Sequence, residues 1–165
     1  MKKSNAQMLT QGAAIAALYV VLTLIANAFG LANYAIQVRF SEALTILPIF
    51  TPIAIPGLFV GCIISNILTG ALPLDVVFGS IATLLGALGT YFLSKKFPEK
   101  KWLAPIPPIV ANTIIVPLVL AYVYQFEGSI PYFMLTVGIG EIISCGILGM
   151  ILIKALEKYK DKLFE

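Results

Sequence analysis

The chain has 165 residues, 59% of them hydrophobic and 12% charged, against about 45–50% and about 25% in ordinary soluble domains. Its net charge is +3 and its mean hydropathy +0.97. So few polar residues cannot cover a soluble core, which excludes soluble enzymes, disordered chains, fibrous repeats and disulfide scaffolds and places the chain in a bilayer.

At about 20 residues per crossing, six spanning helices and short connections fill the length. Residues 1–165 are therefore read as one integral membrane domain. The first apolar run covers about 9–29. It follows Met1-Lys2-Lys3 and is too long for a signal-peptide core, so it is read as a retained helix. It contains Gly12-Ala13-Ala14-Ile15-Ala16-Ala17, in which Ala13 and Ala17 lie four apart. Such spacing lets helices approach closely, either within the bundle or against another subunit. The second run, about 35–50, carries Arg39 and Glu42. Thr51-Pro52 and Pro56-Gly57 separate it from the third, about 54–71. The fourth covers about 75–94, the fifth about 104–125 after a proline cluster, and the sixth about 130–156. The runs are continuous rather than alternating, which predicts helices and not a β-barrel.

Charge orients the bundle. Lys2 and Lys3 precede the first run; Lys95, Lys96, Lys100 and Lys101 lie between the fourth and fifth; Lys154, Lys158, Lys160 and Lys162 end the sixth. With six crossings all ten lysines fall on one side and none on the other. The positive-inside rule then places both termini in the cytoplasm.

An ionisable residue at membrane depth costs about 2.5–3.5 kcal/mol on insertion scales, so each one is a functional candidate. Arg39 and Glu42 are three apart and either pair with each other or face a ligand. Glu141 has no basic residue within a turn and follows Gly138-Ile139-Gly140. It either finds a partner on another helix or contacts a ligand. Asn66 and Asn112 serve interhelical hydrogen bonding or ligand orientation. Asp75, after Pro73, reads first as a helix N-cap that faces a cavity. The outer half then holds Arg39 against Glu42, Asp75, Glu127 and Glu141. This balance suits a cation or a heterocycle rich in N–H donors, since carboxylates accept paired N–H groups. Tyr34, Tyr91, Tyr122 and Phe126 are candidates for a stacking wall, or simply interface aromatics.

Histidine is absent, which removes imidazole metal sites and histidine-based catalysis. Cys62 and Cys145 lie in apolar runs without metal-ligand spacing and read as small packing residues. No metal or cofactor is expected. No phosphate-cradling loop and no inverted repeat of three helices is present. A chain this small suggests a substrate-binding membrane subunit that depends on partners.

Several stretches resemble the QueT transporter family. They are Arg39 to Pro48, Pro52 to Cys62, Asn66, Asp75 to Leu85, Trp102 to Pro105 with Pro107-Pro108, Asn112, and Gly138 to Glu141. The likeness runs from about Gly12 to Lys154. It implies the S component of an energy-coupling factor transporter in a prokaryotic cytoplasmic membrane. Such a protein is a six-helix bundle that captures a micronutrient outside, here a queuosine precursor such as aminomethyl-deazaguanine. Its partners would be a transmembrane coupling protein and two ATPases, so ATP hydrolysis is expected on separate subunits and no nucleic acid is involved. Ala13 and Ala17 match the family's alanine motif for the coupling protein. The expected substrate-binding residues are Glu42, Glu141, Asn66, Asn112, Arg39 and Asp75. The alternatives are an S component for another vitamin-like heterocycle and a small channel or assembly protein without a captured ligand.

Overall fold

The computed structural model describes residues 4–31 and 37–164. All regular structure among them is helical. Helix α1, Asn5–Ala28, starts at a capping box. Ser4 Oγ accepts from the Gln7 N–H at 3.2 Å while Gln7 Oε1 accepts from the Ser4 N–H at 2.9 Å, so two orphan donors are satisfied reciprocally. A 3₁₀ helix follows at Phe40–Ile49, then α2 at Ala54–Leu68 and α3 at Pro73–Lys96. A short 3₁₀ turn, Lys101–Leu103, leads into α4 at Ile106–Tyr122. Helix α5, Ile130–Glu141, runs through a π-helical segment, Ile142–Leu148, into α6 at Gly149–Glu157. A last turn, α7, covers Lys160–Phe164.

Four stretches are long and apolar enough to cross a membrane: Asn5–Ala28, Pro73–Lys96, Lys101–Tyr122 and Ile130–Glu157. The second and third expected spans are the shorter apolar helices Phe40–Ile49 and Ala54–Leu68. A helix of 15 residues rises about 22 Å, less than the ~30 Å hydrocarbon core.

The expected second helix, about 35–50, is corrected in two ways. Residues 35–36, like Tyr34, Lys2 and Lys3, lie outside the described residues, and Gln37–Arg39 are not helical. Arg39 is extended, at φ −107° and ψ 110°, and the helix that follows is wound to 3₁₀. Pro48 inside it removes one backbone donor, and Thr45 Oγ1 donates back to the Glu42 carbonyl at 2.6 Å. A 3₁₀ run of 10 residues exceeds the usual three or four. It persists because Ser41 through Pro48 are all buried between α1, α3 and the π segment.

Close backbone contacts set the bundle. A Cβ on Gly61 of α2 would stand 2.8 Å from Tyr19 Cβ and 3.0 Å from the Ala16 carbonyl of α1. A Cβ on Gly140 would collide with the Gln37 carbonyl, so α5 presses directly on the backbone at Gln37. The core links Ile15 and Tyr19 of α1, Leu44 and Ile46 of the 3₁₀ helix, and Leu58 of α2.

Candidate functional site

The six sequence-derived site residues fall into two connected layers. The outer layer is a cavity of about 280 Å³ whose walls include Arg39, Asn66 and Asp75. Tyr124 and Phe126 also line it, their ring centroids 5.4 Å apart. Of the four aromatics named from sequence, Phe126 is thus on the wall. Tyr122 is 70% exposed, and Tyr91 lies under Lys95, 4.5 Å from its ammonium.

Asp75 is not the N-cap of α3. Leu72 holds that position, and Pro73 starts the helix, where its missing N–H costs nothing. Asp75 therefore sits in the first turn, on the favourable end of the helix dipole. Its Oδ2 accepts from the Tyr124 hydroxyl at 2.7 Å. The same hydroxyl accepts from the Leu72 N–H at 3.2 Å. Burial, and after it the Asp75 hydrogen bond, push the Tyr124 phenol above its ordinary value, so it stays a donor at neutral pH.

The inner layer holds Glu42, Asn112 and Glu141, only 2%, 4% and 6% exposed. Glu42 Oε1 accepts from the Tyr19 hydroxyl. Asn112 Nδ2 lies 3.5 Å from Glu42 Oε2 and 3.3 Å from Glu141 Oε2. Glu141 Oε2 also accepts from Cys145 Sγ at 3.1 Å. Arg39 and Glu42 do not pair: the ion pairs among the described residues include neither. The extended backbone at Arg39 takes its side chain toward Gln37 Oε1, 3.5 Å away, while Glu42 turns inward to Tyr19.

Thr23 joins the layers. It lines the cavity, donates to the Tyr19 carbonyl at 2.9 Å and hydrogen-bonds Ser41 Oγ at 2.8 Å. The π segment packs against the inner layer and against Arg39; such segments are frequent at functional sites. Ser144 Oγ accepts from the Arg39 N–H at 3.2 Å, and Cys145 Sγ approaches the Glu42 carbonyl at 3.4 Å.

Ligand atoms of Glu42, Glu141 and Cys145 lie within 4.8 Å of one another. Protein donors already engage both carboxylates, so the cluster is a satisfied polar core and does not by itself make a metal centre. Sequence reasoning missed Tyr19, Cys145 and Tyr124. Cys145 is one turn from Glu141, a spacing visible in the sequence; Tyr19 and Tyr124 meet their carboxylates 23 and 49 residues away, which only the fold reveals.

Residues 9–158 match the family described as QueT transporter. The chain belongs to the QueT transporter family. It is a membrane protein, in keeping with its apolar helices. A relative is the queuosine precursor transporter QueT of Lactococcus lactis subsp. cremoris strain MG1363, 36% identical over 99 residues. The aligned region spans 60% of this chain and 58% of that protein. No solved structure matches.

Proposed function

We propose that the chain captures a queuosine precursor, aminomethyl-deazaguanine or a related base, as the S component of an energy-coupling factor transporter in the cytoplasmic membrane. The observation that carries the reading is the two-layer site itself, found in a chain of the QueT family. A guanine-type edge offers two adjacent N–H donors beside a carbonyl. Glu42 and Glu141 accept from the donors, and Arg39 donates to the carbonyl. Asn66 and Asn112 fix orientation, and Asp75 adds negative charge at the entrance. The Asn112 bonds, at 3.5 and 3.3 Å, are long, so exchanging them for shorter ligand bonds costs little. The volume of about 280 Å³ suits one small heterocycle.

In this reading the chain crosses the membrane six times with both termini inside. The Phe40–Ile49 and Ala54–Leu68 helices are too short to span alone and do so packed against longer neighbours. Ala13 and Ala17 are exposed on α1, which leaves a small-residue face for a coupling protein. ATP hydrolysis belongs to two separate partner subunits.

Reconstitution tests this. Proteoliposomes holding the chain, a coupling protein and two ATPases should accumulate labelled aminomethyl-deazaguanine only with ATP. Uptake by the chain alone, without ATP, would support the channel reading instead.

A further inference from the structure

Arg39 and Asp75 line one cavity without forming an ion pair with each other. Neither is in an ion pair among the described residues. Among the described residues, the Arg39 side chain hydrogen-bonds Gln37 Oε1, at 3.5 Å. Asp75 is 7% exposed and offers Oδ2 to Tyr124. Its Oδ1 has no donor among the described residues. That oxygen points to the Asn66 side of the cavity: a Cβ on Gly79 would lie 3.2 Å from Asn66 Nδ2 and 3.4 Å from Asp75 Oδ1. Oδ1 is not among the fully buried unpartnered atoms of the described residues, so it is open to the cavity, where a ligand N–H can donate to it.

Tyr124 fixes which oxygen is available. Its hydroxyl is held between Asp75 Oδ2 and the Leu72 N–H, at 2.7 and 3.2 Å. The chain then turns back at Gln125, in the left-handed region at φ 53°, and places Phe126 beside the same ring. The phenol thus ties the α4–α5 connection to the first turn of α3 and holds the carboxylate in one orientation, which lowers the ordering cost of binding.

We propose that Asp75, oriented by Tyr124, recognises a primary ammonium group on the ligand. The site therefore prefers a base carrying a cationic amine to the same base with a neutral substituent. Tyr124 is the positioning residue for that choice. Arg39, also on the cavity wall, takes an acceptor such as the ring carbonyl, so the two charges read two groups of one molecule. This rests on the base-capture reading above and names the feature of the base that is selected.

The test is equilibrium binding of three 7-deazaguanines to the purified full chain in detergent: 7-aminomethyl, 7-cyano and 7-unsubstituted. The wild type should bind the aminomethyl base about tenfold more tightly than the cyano base. Tyr124→Phe should reduce that preference to about twofold, and Asp75→Asn should abolish it. Equal wild-type affinity for all three bases would overturn the proposal and leave base capture standing. Equal weakening of every base by Tyr124→Phe would overturn the positioning role. Binding of none by the folded chain would remove base capture and this proposal together.

Discussion

The Asn112 amide stands between Glu42 and Glu141, its one nitrogen within 3.5 Å of the first carboxylate and 3.3 Å of the second. It is the only side chain among the described residues that hydrogen-bonds both. Replacing it with leucine leaves two buried carboxylates facing each other across an apolar gap. Asn112→Leu is expected to lower stability by about 1–3 kcal/mol, the cost of unsatisfied buried groups. Unfolding in detergent followed by circular dichroism measures this. Asn112→Asp, which adds a third acid, should be worse.

Gly61 lets α1 and α2 touch. Gly61→Ala forces a methyl to 2.8 Å from Tyr19 Cβ and 3.0 Å from a backbone carbonyl. A loss of about 1–3 kcal/mol is expected from overpacking, and the shift reaches Tyr19 and its bond to Glu42. Gly138→Ala is the matched control, since its Cβ meets only Thr113 at an ordinary 3.5 Å. There the helix propensity gain of up to about 1 kcal/mol should appear as equal or higher stability. Thermal unfolding of the two variants side by side separates packing from propensity.

The exposed Ala13 and Ala17 lead to a separation of binding from transport. Ala13→Leu with Ala17→Leu should leave ligand affinity unchanged and abolish uptake in reconstituted vesicles, because bulky side chains prevent close helix approach. Loss of ligand binding in the same variant would place these alanines in the fold rather than at an interface.

Topology is open to cysteine labelling, because native Cys62 and Cys145 are 1% and 0% exposed. In sealed right-side-out vesicles, a cysteine at Glu127 should react with an impermeant maleimide. One at Lys100 should react only after permeabilisation. The reverse pattern, or reaction of both, would contradict six crossings with inner termini.

The helical runs were legible because apolar stretches bounded by proline and glycine carry a strong signal. The boundaries near Arg39 were not. An i, i+3 pairing of Arg39 with Glu42 presumes one continuous α-helix, whereas Arg39 is extended and the chain tightens to 3₁₀ from Phe40. That geometry arises from tertiary pressure, with Gly140 against the Gln37 backbone, and leaves no local trace. Asp75 was recognisable as a first-turn acid, but Pro73 at the helix start shifted the cap to Leu72. The six polar positions stood out by charge at membrane depth. Their partners Tyr19 and Tyr124 did not, since a tyrosine in an apolar run looks like any other aromatic until the fold brings a carboxylate to its hydroxyl.

Base capture is tested most directly by equilibrium binding of aminomethyl-deazaguanine to the purified, detergent-solubilised chain, with guanine and queuine as competitors. Saturable binding is expected, accompanied by a rise in unfolding temperature, since the ligand binds only the native state. Glu141→Gln should weaken it by about tenfold or more through loss of a charge-assisted bond, with the helical content retained. Unchanged affinity in Glu141→Gln would assign that residue to structure alone, and no binding of any of the three bases by the folded protein would contradict base capture itself.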